Sequence, residues 1–74
     1  MNITELPEAK SARVVAISGG AGLRKKLQDL GIREGTVVRK VTRLFTHGPI
    51  VVRAGSTEIA LGRGMASKVE IQLI

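Results

Sequence analysis

Nine glycines divide this chain of 74 residues into short segments. Most of these segments alternate apolar and polar side chains and are rich in valine and isoleucine, which is typical of strands. Only one segment has the periodicity of a helix, so the sequence predicts a mainly β fold with one short inserted helix. The predicted strands cover residues 12–17, 36–45, 50–54, 58–61 and 69–73.

The alternation in the first strand predicts which of its side chains share a face. Because successive side chains of a strand point to opposite faces, one face should carry two residues and the other three. Val15 and Ile17 form the first set, and Ala12, Val14 and Ala16 form the second.

The single helix is predicted over residues 22–30, where three leucines fall at positions i, i+4 and i+7 and therefore share one face. Gly31 follows directly, in the left-handed position at which helices commonly end. That ending would pack Ile32 back on the helix. The three leucines are Leu23, Leu27 and Leu30.

The turns between the strands are also marked in the sequence. Gly35 supplies a positive φ after the helix, and Gly55-Ser56 is typical of a two-residue hairpin loop. In the strand after that hairpin, Ile59 and Leu61 are predicted to point inward. Residues 62–67 are expected to turn through one helical turn.

Five short strands are few for a sandwich, and an open sheet of this size would expose its edges. Closure into a small barrel hides those edges. We therefore expect residues 1–74 to form one domain, a small SH3-like five-stranded barrel. The first ten residues are interpreted as a lead-in.

Residue types for catalysis or metal binding are sparse. The chain has no cysteine and one histidine, His47, and its six carboxylates are dispersed. A metal site needs three or four convergent ligands. The glycine-rich loop at 18–22 lacks the spacing of a nucleotide-binding motif and is interpreted as a structural turn. We expect no enzymatic activity, no cofactor and no metal site.

The charge is informative, because twelve basic residues against six acidic ones give a net charge of +6. Such a charge attracts nucleic acid, a membrane surface or an acidic protein. A single aromatic residue, Phe45, argues against stacking on single-stranded nucleic acid. The candidate partner-binding residues lie on the helix and on the strand after it. For the cations on the helix, the alternative interpretation is a face that is simply exposed to solvent. They are Arg24, Lys25, Lys26, Arg39 and Arg43.

Several elements, taken in order along nearly the whole chain, are similar to those of one known family. They are Leu6, Val15–Gly20, Leu23–Gly35, Gly48-Pro49, Ile59–Ala66 and Val69–Ile71. On these elements the chain resembles the FeoA family, ferrous iron transport protein A. The elements Leu30-Gly31-Ile32 and Ala60-Leu61-Gly62-Arg63 are the most specific. Lys10-Ser11 departs from the family, whose members often carry a glycine before the first strand.

The resemblance implies an SH3-like barrel, which agrees with the strand count. It also implies a cytoplasmic accessory role beside FeoB, a membrane ferrous iron permease with a GTP-binding domain. We thus expect a protein-binding module that docks on the permease and modulates it, at the inner face of the membrane through that partner. Self-association stays possible, and nucleic acid is not the expected partner.

Two other functions stay open. One is a basic SH3-like nucleic-acid-binding domain, since clustered cations suit phosphate contacts. The other is a free-standing relative of the C-terminal domain of iron-dependent repressors, although we recognise no DNA-binding helix-turn-helix in these 74 residues. The longest apolar run is Val14–Ile17, far below the ~20 residues of a membrane-spanning helix, and no export leader is recognised. We therefore expect a cytoplasmic protein.

Overall fold

The computed structural model describes residues 1–41 and 48–74. Five antiparallel strands form one sheet in the order β4-β3-β2-β1-β5, which places β1 next to the last strand of the chain. The strands are β1 (Ser11–Ile17), β2 (Val37–Lys40), β3 (Ile50–Ala54), β4 (Thr57–Leu61) and β5 (Val69–Leu73). Helix α1 (Ala21–Asp29) follows β1, α2 (Arg63–Ala66) follows β4, and a short 3-10 helix spans Ile3–Glu5.

These elements confirm a mainly β fold with one helix inserted after the first strand. The predicted strand 50–54 has the same bounds as β3, and the turn after β4 does contain one short helix. The strand predicted over 36–45 corresponds to β2, and its part from residue 42 onward lies outside the described residues. No helix in the described ranges is long and apolar enough to cross a membrane.

All five strands contribute to one cluster of buried side chains, as expected when a small sheet curls around its own core. Among the described residues, no buried side chain is polar or charged. The inward direction predicted for Ile59 and Leu61 is confirmed. The cluster consists of Ile3, Leu6, Ala12, Val14, Ile17, Leu27, Ile32, Val38, Ile50, Val52, Ile59, Leu61, Ala66, Val69 and Ile71.

The first ten residues do more than lead into β1. Ile3 and Leu6 are fully buried in the core. Asn2 caps the 3-10 helix through a capping box. Its side-chain oxygen accepts a hydrogen bond from the Thr4 backbone amide at 2.9 Å, and its backbone amide donates to Glu5 Oε1 at 2.8 Å. This reciprocal cap satisfies backbone donors that a short helix otherwise leaves open.

The face assignment for β1 is wrong after its middle. Val14 pairs with Ile71, but the next pair is Ala16 with Glu70, so Val15 is an extra residue in this ladder. Such a bulge shifts the alternation by one position. As a result Ile17 is buried with Ala12 and Val14, whereas Val15 is 44% exposed.

Helix α1 ends as the sequence predicts. Gly31 has a φ of +98°, its amide donates to the Gln28 carbonyl at 2.9 Å, and the Ile32 amide donates to the Leu27 carbonyl at 2.8 Å. These two bonds define a Schellman motif. Leu27 and Ile32 are both fully buried, so the returning chain packs in the same cluster as the helix.

The prediction that Leu30 shares the buried face is wrong. Leu30 is the C-cap residue and is 38% exposed, whereas Leu23 packs partly buried against the core. The reason is the helix ending itself, because the turn at Gly31 brings Ile32 into the core directly after Leu30. One leucine of the predicted stripe is therefore left at the surface.

We predict that Leu27→Ala lowers the free energy of unfolding by about 2–5 kcal/mol, since a fully buried leucine leaves a cavity when truncated. Chemical denaturation followed by circular dichroism measures this loss. The matched control is Leu30→Ala, which should cost about 1 kcal/mol or less because that side chain is already partly in water. Equal losses for the two variants would contradict the packing described here.

Candidate functional site

The candidate partner-binding residues do not form a single surface. Strand β1 pairs with β2 so that Ser11 lies opposite Arg39, and α1 leaves from the other end of β1 after Ile17. The helix cations and Arg39 therefore lie at opposite ends of the β1–β2 pair. Arg43 lies outside the described residues, as does His47.

The first surface, here called the helix surface, consists of Arg24, Lys25 and Lys26. Arg24 Nη1 lies 3.5 Å from Glu34 Oε1, and Lys25 Nζ lies 3.6 Å from Asp29 Oδ2. Lys26 has no ion pair among the described residues. The turn after α1 brings Glu34 beside Arg24, which the spacing in the sequence does not show. The helix surface is thus less positive than three adjacent cations would suggest.

The second surface, here called the strand groove, is an open depression of about 250 Å³. Two arginines on neighbouring strands face each other in it, since Arg39 of β2 is the register partner of Arg53 of β3. Like charges directly opposite on two strands destabilise the pairing. The lining residues are Ala9, Arg39, Lys40, Val41 and Arg53.

Each of the two arginines is held by one neighbour. Arg53 Nη2 lies 2.5 Å from Glu58 Oε2 of β4, its own register partner on the other side. Arg39 Nε donates to the Ala9 carbonyl at 3.3 Å. One carboxylate therefore accompanies the two guanidinium groups that line the groove. Lys40 pairs with the buried Val52, so its side chain starts on the other face of β2.

The wall of the strand groove is a turn in an unusual conformation. Ala9 has a φ of +64°, which a residue other than glycine seldom adopts. The Lys10 amide closes the turn on the Pro7 carbonyl at 3.2 Å. Two further backbone hydrogen bonds attach the turn to β2. The Ala9 amide donates to the Lys40 carbonyl at 2.9 Å, and the Lys40 amide donates to the Lys10 carbonyl at 3.1 Å. The departure from the family at Lys10-Ser11 thus falls next to this turn.

The sequence alone does not single out Ala9 or Arg53 as site residues. Arg53 enters the groove only because of the register between β2 and β3, and the residues between these strands give no signal that fixes it. A proline two residues before an alanine is a weak turn signal. Neither pattern predicts that the turn and the two strands meet.

The glycine-rich loop before α1 has a packing role. Gly19 has a φ of +113°, and a Cβ at this position would lie 2.8 Å from Leu23 Cδ2. Only glycine allows that close approach of the helix to the loop. This arrangement supports the interpretation of residues 18–22 as a structural turn.

Groups of candidate metal ligands do not occur in the described part of the chain. Nowhere in residues 1–41 and 48–74 do three histidine or carboxylate side chains lie close enough together to hold a metal ion. The carboxylates that are in contact with a cation face arginine, lysine or the amino terminus instead.

Comparison with known proteins gives consistent matches along the chain. The model of the FeoA domain matches residues 1–73. A Methanocaldococcus jannaschii protein assigned as an Fe(2+) transport protein A is 28% identical over 65 residues, which cover 88% of this chain and 77% of that protein.

Solved structures resemble the fold closely. The crystal structure of an iron uptake regulatory protein, FeoA, is 27% identical with a TM-score of 0.89 and covers all of this chain and 96% of that one. Stenotrophomonas maltophilia FeoA complexed with zinc, described as a prokaryotic SH3 domain protein, is 29% identical with a TM-score of 0.81, covering 97% and 89%. A manganese-dependent transcriptional repressor shares the fold alone, at 19% identity, with a TM-score of 0.87 over all of this chain and 41% of that one.

We predict that Ala9→Gly raises the free energy of unfolding by up to about 1.5 kcal/mol. Relief of the left-handed conformation is worth about 1–2 kcal/mol, and the greater freedom of glycine in the unfolded chain removes about 0.4–1 kcal/mol of that gain. Urea denaturation measures the difference. The control is Ala60→Gly on the exposed face of β4, which should be destabilising by about 0.5–1 kcal/mol. A loss at both positions would contradict the strain assigned to Ala9.

We further predict that the purified protein does not bind ferrous iron tightly at one ion per chain. The sequence offers no cysteine and one histidine, and clustered ligands are what such a site requires. Anaerobic calorimetry with Fe²⁺ tests this. Tight one-to-one binding that is abolished by His47→Ala would overturn the prediction.

Proposed function

The chain belongs to the FeoA domain family, and from this membership we propose that it docks on the cytoplasmic, GTP-binding part of a FeoB-type ferrous iron permease and modulates it. A role as an accessory protein of ferrous iron transport follows from the family and agrees with the resemblance found in the sequence. The family match over residues 1–73 is the observation that carries the proposal. The S. maltophilia relative is itself described as a candidate activating factor of ferrous iron transport.

We propose the helix surface as the docking face. Its ion pairs, Arg24 with Glu34 and Lys25 with Asp29, lie between largely exposed side chains. Exposed pairs contribute only about 0–1 kcal/mol, so both cations can exchange an internal carboxylate for one on a partner at little cost. Lys26 needs no exchange, because it has no ion pair among the described residues.

Leu30 adds an apolar contact beside Lys26. It lies four residues after Lys26, and side chains at this spacing are neighbours on a helix. An exposed leucine next to a cation matches the general anatomy of an interface, with an apolar centre and a polar rim. The exposure of Leu30, which the leucine pattern does not predict, thus supports this face as the one that binds.

The net charge of +6 also favours association with an acidic surface. Electrostatic attraction of this kind mainly raises the association rate and weakens as salt screens the charges. We therefore propose that the protein acts at the inner face of the cytoplasmic membrane through its partner.

We predict that Arg24→Glu with Lys25→Glu leaves the fold intact but weakens binding to the permease's cytoplasmic part by about tenfold or more at low salt, and by less at physiological salt. The physical reason is that two attractive contacts become repulsive. Circular dichroism checks the fold, and calorimetry at both salt concentrations measures the affinity. Leu30→Ala should weaken binding at both concentrations, because an apolar contact is not screened.

The control is a pair of charge reversals away from the helix surface, Lys10→Glu with Arg39→Glu. This pair changes the net charge by the same amount as the test pair. Equal weakening by both pairs would show that total charge acts rather than the helix surface. Weakening by the control pair alone would move the interface to the strand groove. Tight binding of mixed nucleic acid with a steep salt dependence would instead support the nucleic-acid alternative.

A further inference from the structure

We propose that the strand groove is a binding site for a single phosphate group, distinct from the docking function of the helix surface. Two arginine side chains, Arg39 and Arg53, lie on the same face of two paired strands and line one depression of about 250 Å³. Glu58 is the one carboxylate that contacts either of them among the described residues. Two positive charges against one negative charge leave a local charge of +1.

The two arginines face each other at a cost to the empty protein. Arg39 and Arg53 are register partners on adjacent strands, an arrangement in which like charges repel. An anion between them would convert that repulsion into two attractions. Glu58 offsets part of the repulsion from the other side of Arg53, and an anion in the groove would offset the rest.

Each guanidinium group is held by one hydrogen bond and keeps further N–H donors available. Arg39 uses Nε to donate to the Ala9 carbonyl, and Arg53 uses Nη2 to bind Glu58. The remaining N–H groups of both side chains have no acceptor among the described residues. A planar guanidinium fork fixed at one edge presents its other edge to an oxyanion in bidentate geometry.

Size and the number of acceptor oxygens select the ligand. The groove is smaller than the ~300–1,000 Å³ of sites that enclose a whole small molecule, so it fits one anionic group. A phosphate monoester offers three acceptor oxygens, enough to bind both arginine side chains at once. A carboxylate has two oxygens, which a single bidentate arginine already occupies. Free phosphate and the headgroup of a phosphomonoester lipid share this chemistry.

The test uses the whole chain and inorganic phosphate, followed by amide NMR shifts at pH 7 and constant ionic strength. We expect saturable shifts at millimolar phosphate for the amides of Ala9, Lys10, Arg39, Arg53 and Glu58. Sodium chloride at the same ionic strength should not produce them. Arg39→Gln should weaken phosphate binding by about tenfold or more, as expected for hydrogen bonds to charged groups.

The matched control is Arg13→Gln. Arg13 is exposed on a neighbouring strand and, like Arg39, donates to one backbone carbonyl at 3.3 Å, that of Gly35. Its loss should leave phosphate binding unchanged. Equal weakening by both variants, or shifts that rise linearly with phosphate without saturating, would overturn the proposal.

Thermal denaturation provides a second readout. Phosphate should raise the Tm of the wild-type chain and of Arg13→Gln but not that of Arg39→Gln, because only a ligand of the folded state stabilises it. Without phosphate, Arg39→Gln should not lower the Tm, since it removes the repulsion with Arg53. A lowered Tm together with unchanged phosphate binding would show a purely structural role for Arg39 and overturn the proposal.

Vesicles distinguish the source of the phosphate group. Co-sedimentation with phosphatidic acid vesicles, but not with phosphatidylcholine vesicles, and its loss in Arg39→Gln would identify a lipid headgroup. Saturable binding of inorganic phosphate without co-sedimentation would identify a soluble ligand. All of these measurements omit the permease, so their failure leaves the proposed docking function untouched.

Discussion

The hydrogen bond from the Ile32 amide to the Leu27 carbonyl, 2.8 Å long, determines where the second half of the fold begins. It can form because Gly31 takes a left-handed conformation, and it returns the chain to the core directly after α1. The Gly35 amide then donates to the Val14 carbonyl at 2.8 Å, which places β2 beside β1. The central pair of strands, and with it the distance between the two basic surfaces, follows from this one helix ending.

The core depends equally on parts of the chain that carry no strong pattern. A chain of this length buries only about 60% of the surface that its unfolded form exposes, so each buried side chain matters. Ile3 and Leu6 extend the core beyond the sheet, and the Met1 carbonyl accepts from the Ile71 amide at 2.7 Å on the outer side of β5. The residues before β1 therefore cover one edge of the sheet that would otherwise be open.

Much of the fold can be predicted from the sequence where one pattern runs unbroken within an element. Strand β3, the inward residues of β4 and the ending of α1 each depend on neighbours in the chain, so local spacing is enough. The faces of β1 could not be predicted, because the extra residue at Val15 exists only relative to β5. The strand groove is similar, since Arg39 and Arg53 meet through a register that no local signal fixes. The exposure of Leu30 also escapes the pattern. Its spacing from Leu23 and Leu27 fits a helix face, but Leu30 is the C-cap residue, where the chain already turns away from that face.

The separation of the two basic surfaces along the β1–β2 pair has a thermodynamic consequence. A ladder of backbone hydrogen bonds has one favourable arrangement, and coupling between distant sites requires an element with two. The free energies of occupying the two surfaces should accordingly add, with little cooperativity in either direction. A molecule held in the groove and a protein held at α1 could then be carried together, so the domain would serve as a rigid link between them.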